Sequence, residues 1–141
     1  GKEEYMQVLA DKVFLSSTFF PNSDGIVAAI KTIEILERDH ILDVIAEKGR
    51  KFGAKVEKVV AESGVPVNFT GAPWMPYITF KKDETGRYKQ LRTEYYTQLI
   101  RRQVFMQPYH HGYICYRHTD EDLAYTVEAI RESLAEVKKM L

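Results

Sequence analysis

Ser16, Ser17, Thr18, Asn22 and Ser23 crowd into one turn-rich stretch, Ser16 to Gly25, just ahead of an apolar helical pattern. Hydroxyls and free backbone N–H groups beside a helix start can cup a phosphate or a carboxylate. Ser17, Thr18, Asn22 and Ser23 supply the donors, although the same residue types also serve as plain turn and N-cap residues, and composition leaves both roles open. The histidines suggest less. His110 and His111 are adjacent, and neighbours on a strand face opposite ways, so the pair is a poor chelate. His118 and His40 stand apart from it. With no carboxylate at ligand spacing, no metal site is expected. Cys115 lies between aromatic neighbours with only Arg117 nearby, which predicts a buried, inert thiol. Trp74, framed by Pro73 and Pro76, lines either a cavity or a seam. No lysine stands isolated in an apolar segment, so no catalytic lysine is expected.

Eight of the nine tyrosines fall in the second half, Tyr88, Tyr95, Tyr96, Tyr109, Tyr113 and Tyr116 among them. A stacking platform for single-stranded nucleic acid would interleave them with Arg and Lys. Here Asp83, Glu84 and Glu94 dilute Arg87, Arg92, Arg101, Arg102 and Arg117, and core or interface roles are expected instead.

The 141 residues suit one domain with its own core, and 45% hydrophobic against 28% charged residues excludes wholesale disorder. Twenty basic against twenty acidic residues give zero formal charge, which argues against a broad surface for nucleic acid or an anionic membrane. A single cysteine permits no intrachain disulfide. No apolar run approaches ~18 residues, and the opening residues lack a signal pattern; a cytoplasmic protein is expected.

Periodicity orders the rest. Ile26, Ala29, Ile30 and Ile33 predict a helix with Ser23 or Asp24 as N-cap. Ile41, Val44 and Ile45 continue toward Val56, Val59 and Val60 through Gly49 and Gly53, where a kink or two tandem helices are expected. Gly64 reads as a left-handed helix cap. Two short strands follow between Val65 and Phe80, split by Gly71-Ala72-Pro73. Tyr88, Leu91, Tyr95 and Leu99 mark a helix to about Arg102. Val104–Pro108 and Tyr113–Tyr116 read as two further strands. Thr119 and Asp122 then form a capping-box start to a last helix carrying Leu123, Val127, Ile130, Leu134, Val137 and Leu141. The predicted fold is α+β, in the order α-β-β-α-β-β-α, with helices on one face of an antiparallel sheet of about four strands.

The stretch Phe14-Leu15-Ser16-Ser17-Thr18-Phe19-Phe20-Pro21-Asn22-Ser23 resembles the class III aminotransferase segment that reads roughly Ser-Thr-Phe-x-Gly-Asn-Pro before an Ala-rich helix. Gln103–Pro108 and His118-Thr119-Asp120-Glu121-Asp122-Leu123 are similar to that family's closing strand and final helix start. Gly1–Met6 is similar to the short helix past its lysine-bearing turn. The likeness covers nearly the whole chain and is nearest in look to glutamate-1-semialdehyde aminomutases. It implies a pyridoxal 5'-phosphate enzyme of fold type I, dimeric, moving an amino group on a small amino acid, keto or aldehyde substrate. Residues 1–13 would be a remnant of the large domain and 14–141 the C-terminal small domain. Thr18, with the backbone at Ser17, would bind the phosphate of the cofactor held by the other subunit. The Schiff-base lysine would lie upstream of Gly1, in a missing N-terminal large domain, so the chain alone should be inactive and residues 1 to about 12 poorly anchored.

Two departures stand out. Phe20-Pro21-Asn22-Ser23 replaces the Gly-Gly-Asn-Pro of many relatives. Relatives that recognise a carboxylate carry an Arg near His110 or His111, and neither is Arg here; aminomutase-like members lack it too. Aminotransferase and aminomutase both remain open, and a stand-alone α+β binding or dimerisation module without cofactor is the competing reading.

Overall fold

The last helix shows how the sequence pattern becomes a core. In the computed structural model, which describes residues 1–20 and 22–141, this helix spans Asp120–Lys138. Thr119 Oγ1 accepts from the Asp122 N–H at 3.1 Å, and Asp122 Oδ2 accepts from the Thr119 N–H at 2.8 Å, a complete capping box. Leu123, Val127, Ile130, Leu134 and Val137 are all buried; each such side chain contributes about 1.5–3 kcal/mol of burial.

Seven elements follow in chain order: α1 (Glu3–Asp11), α2 (Ser23–Arg38), α3 (Ile41–Ser63), β1 (Val67–Thr70), β2 (Tyr77–Phe80), α4 (Tyr88–Arg101) and α5 (Asp120–Lys138). They form two compact units, Gly1–Asp39 and His40–Leu141. In the first, α1 and α2 have no buried residue. In the second, α5 packs on both α3 and α4, while β1 lies against α3 and β2 against α4. The strands form an antiparallel hairpin with Val67 opposite Phe80 and Thr70 opposite Tyr77. Phe52, Val56, Ile78, Leu91, Tyr95 and Leu99 close the core around α5. Among the described residues no helix is long and apolar enough to cross a membrane.

The fold is α+β as expected, but the order is α-α-α-β-β-α-α and the sheet has two strands, not four. Val104–Pro108 and Tyr113–Tyr116 form no ladder. Ile114 N–H donates to the Trp74 carbonyl and Gly112 N–H to the Pro76 carbonyl, each at 2.9 Å. Pro76 has no N–H to give in return, and among the described residues the Trp74 N–H makes no bond to this stretch, so the pairing runs one way and does not propagate.

Helix α3 also departs from expectation. It runs unbroken through Gly49 and Gly53, and the chain breaks earlier, at Asp39–His40, where His40 takes a left-handed φ of 48°. A Cβ on Gly49 would lie 2.7 Å from the Trp74 backbone nitrogen, and one on Gly53 would lie 3.4 Å from Pro73 Cβ. Both glycines give the 73–74 backbone room against the helix rather than interrupting it. The cap of α2 is Asn22, one residue before the predicted position, whereas Gly64 closes α3 in the left-handed conformation as expected.

Two outcomes follow. Gly49→Ala should lose about 1–3 kcal/mol in urea denaturation despite alanine's helix preference, because backbone cannot retreat cheaply; Gly25→Ala, with open space around its Cβ, is the control and should not lose stability. The backbone and hydroxyl of Thr119 hold the Asp122 carboxyl below the usual carboxylate range. A depressed folded value means the unfolded chain binds the proton more readily. Asp122 therefore contributes stability above the unfolded value of about 3.9, and loses it as pH falls through its lower folded value. Asp122→Asn should flatten that acid limb in denaturation midpoints measured across pH.

Candidate functional site

Ser17 to Phe20 make a tight turn, closed by the Phe20 N–H donating to the Ser17 carbonyl at 3.1 Å. The Ser17 and Thr18 side chains are exposed, and among the described residues neither hydroxyl makes a hydrogen bond, nor do the N–H groups of Thr18 and Phe19. Those unspent donors suit a phosphate's oxygens. Asn22 has other work: its Oδ1 accepts from the N–H groups of Asp24 at 3.0 Å and Gly25 at 3.4 Å, capping α2. Asp24 adds a carboxylate to the same first turn. The helix end is thus partly consumed and partly neutralised, which leaves the donors of the turn as the open ones. Pro21, within the departure noted above, lies outside the described residues.

In the second unit His110 and His111 do not sit back to back on a strand. Their rings approach to 4.2 Å between centroids, because the segment turns there instead of extending. His110 Nδ1 lies 2.9 Å from the His111 carbonyl, and His111 Nε2 lies 2.8 Å from the Tyr113 hydroxyl. Arg92, from α4, stacks over the Tyr109 ring at 4.4 Å and donates to its hydroxyl at 3.0 Å. Sequence reasoning missed Arg92 as a functional candidate, although its place four residues after Tyr88 on one helix face was a usable signal. Among the described residues no group of three or more His, Cys, Asp or Glu is placed to hold a metal.

Beside this loop a cavity of about 280 Å³ has apolar walls from Phe52, Met106, Ile114 and Leu123, with His118 and Asp122 among its lining. His118 Nδ1 accepts from the Cys115 N–H at 3.2 Å, so the neutral ring carries its proton on Nε2. Cys115 itself is exposed, not buried. Ile114 takes the inward place and the next side chain points out. Lys48 is spent on structure, donating to the carbonyls of Tyr116 at 2.8 Å and His118 at 2.6 Å. Trp74 meets Gly49 through its backbone, and its side chain is exposed. Of the tyrosines, Tyr95 and Tyr96 are core residues, whereas Tyr109, Tyr113 and Tyr116 are exposed.

No protein-family profile matches the chain. A 3-aminobutyryl-CoA aminotransferase of Cloacimonas acidaminovorans (strain Evry) is 93% identical over 141 residues, which is 100% of this chain and 34% of the relative. A glutamate-1-semialdehyde 2,1-aminomutase of Desulfovibrio desulfuricans is 26% identical over 94% of this chain and 34% of its own length. In sequence the chain is similar, over nearly all of its length, to about a third of these aminotransferase and aminomutase enzymes. The FumI protein of Sphingopyxis sp. MTA144, solved in its pyridoxal phosphate internal aldimine form, superposes with a TM-score of 0.84 at 22% identity, over 99% of this chain and 33% of that one. An omega-transaminase from Sphaerobacter thermophilus gives 0.79 at 22% identity, over 98% of this chain and 34% of that one. These structures establish the aminotransferase segment's fold. The chain spans about a third of the length of the curated relatives it matches.

Within this aminotransferase segment, the exposure of Cys115 has a direct readout. The native chain should react with a colorimetric thiol reagent without denaturant, at one thiol per chain. A thiol released only on unfolding would show it to be buried.

Proposed function

We propose that the whole protein to which this segment belongs is a pyridoxal phosphate-dependent, dimeric aminotransferase acting in the cytoplasm on the amino group of a 3-aminoacyl-CoA thioester. The observation that carries this reading is 93% identity to the 3-aminobutyryl-CoA aminotransferase, unbroken over the full 141 residues. The aminomutase relative reaches only 26%, which favours amino transfer between molecules over an internal shift. Residues 14–141 act as the small domain, and residues 1–13 belong with the large domain carried by the remaining two-thirds. The absence of Arg at His110 and His111 fits the substrate: the carboxyl of a CoA thioester is esterified and offers no anion for a guanidinium to grip.

Pyridoxal phosphate, when bound, supplies an electron sink next to the substrate amine. The turn at Ser17–Phe20 suits its phosphate, since it presents two hydroxyls and two N–H groups with no competing partner among the described residues. In this reading Thr18 Oγ1 and the Ser17–Thr18 backbone hold a cofactor carried by the partner subunit. Asn22 keeps the turn in place by capping α2 instead of touching the ligand.

In the whole protein, Thr18→Ala should weaken cofactor retention by about 1–3 kcal/mol, the scale of a charge-assisted hydrogen bond. Thr18→Ser should restore most of it. Dialysis against graded pyridoxal phosphate measures both; equal retention by all three proteins would remove Thr18 from the site. Transfer of nitrogen from 3-aminobutyryl-CoA to a 2-keto acid, followed as new amino acid, tests the reaction itself.

A further inference from the structure

His118 receives a hydrogen bond that only a neutral imidazole can accept: the Cys115 N–H lies 3.2 Å from its Nδ1. The return bond, from the His118 N–H to the Cys115 carbonyl at 3.3 Å, closes the same turn. Beside it, Lys48 of α3 donates to the carbonyls of Tyr116 and His118. The geometry points to a pH-sensitive latch: neutral His118 fastens the end of the irregular stretch between α4 and α5 to the start of α5, and protonated His118 lets it go. Every part of this latch lies within the second unit, and it goes beyond the reaction proposed above.

Protonation changes the bonding of the ring and not its size. With hydrogen on both nitrogens, Nδ1 turns from acceptor to donor and is set against the Cys115 N–H. The charged groups around the ring decide where it goes. Among the described residues these are Lys48 from α3, Arg117 beside it on the loop, and Asp122 with Asp120 and Glu121 on the first turn of α5. Tyr113, Cys115 and Tyr116 complete the titratable neighbours. Lys48 and Arg117 repel an imidazolium in the latched position, whereas Asp122 draws it away. The Asp122 carboxyl is held below the usual carboxylate range first by Thr119, and to a smaller degree by the charges of His118 and Lys48. The positive end of α5 opposes the move, but three carboxylates there outweigh the roughly half charge of a helix end. The ring thus has two resting places: neutral against the Cys115 N–H, charged toward Asp122. The latched form binds one proton fewer, so falling pH favours release, across the range of about pH 5–8 in which histidine changes charge. Ile114 stays behind, because its N–H donates to the Trp74 carbonyl and not to the latch. What loosens is the short link between that anchor and the capping box of α5.

Hydrogen exchange in the whole, cofactor-loaded protein tests the latch at about pH 8 and about pH 5, the two ends of that range. Mass spectrometry with fragmentation reads single amides, and each rate is divided by its intrinsic value at the same pH. The Cys115 amide should be protected at the higher pH and lose roughly tenfold of that protection at the lower one. The Ile114 amide should stay protected at both, which shows that the loop and the fold persist. His118→Asn places an oxygen acceptor near the position of Nδ1 and does not titrate, so Cys115 should stay protected at both pH values. His118→Ala should leave Cys115 unprotected at both. Protection of Cys115 that is the same at the two pH values in the native protein, or that survives in His118→Ala, overturns the latch. So does a loss at low pH that persists in His118→Asn, since another group would then be titrating. Simultaneous loss at Ile114 and Cys115 in the native protein and the Asn variant alike is general acid unfolding, and overturns it too.

Discussion

The second unit depends on one close approach: the backbone of Trp74 lies against the bare Cα of Gly49, within a distance no side chain would allow. That contact presses the turn of the hairpin onto α3. The turn needs its own glycine, since a Cβ on Gly71, at φ +92°, would sit 2.3 Å from the Met75 carbonyl oxygen. With the 71–76 segment fixed, the carbonyls of Trp74 and Pro76 become anchors for Ile114 and Gly112. The His110–Tyr113 turn hangs from those two bonds. A helix glycine thus fixes, through two backbone relays, the place of side chains more than sixty positions later in the chain.

The loop is held at its far end as well. Lys48 lies on the same helix as Gly49 and donates to the carbonyls of Tyr116 and His118, just before the capping box of α5. The irregular stretch between α4 and α5 therefore has backbone partners at both ends without being a strand. Its aromatic and imidazole side chains can face outward because Ile114, with Val104 and Met106 packed against the core, supplies the inward apolar anchors.

Local pattern made much of this legible. The stripe of α5, its capping box, the apolar face of α4 and the short hairpin were readable because each is decided within a few residues by periodicity, capping or turn chemistry. What failed was decided by distant partners. Gly49 and Gly53 look like helix breakers until the 73–74 backbone is seen beside them. Val104–Pro108 and Tyr113–Tyr116 have strand composition, but the neighbouring 74–76 segment accepts two bonds and returns none, Pro76 having no N–H to give. Cys115 was placed inside by its apolar neighbours, yet the inward side of that segment belongs to Ile114. Ser17 and Thr18 were marked as possible donors by type, and only the family likeness singled them out for a cofactor phosphate. Arg92 was passed over because its partner ring lies 17 residues away.

The first unit poses the opposite problem. Helix α2 is 16 residues long and repeats Ile26, Ile30 and Ile33 along one side, yet none of its residues is buried. Phe14 and Phe19, at 93% and 79% exposed, flank the Ser17–Thr18 turn. Helices of this length gain most of their stability from packing an apolar face, not from propensity. Such a sequence therefore makes physical sense with a covering surface, and the proposed whole protein has one to offer in the two-thirds of its length beyond this segment. The same covering would convert the turn from an open bend into a walled cup. Hydroxyl and N–H donors bind phosphate more strongly once water is excluded, because the local dielectric falls. On the proposed reading, cofactor affinity at Thr18 would be a property of the assembled protein, to which the bare segment brings only the donors.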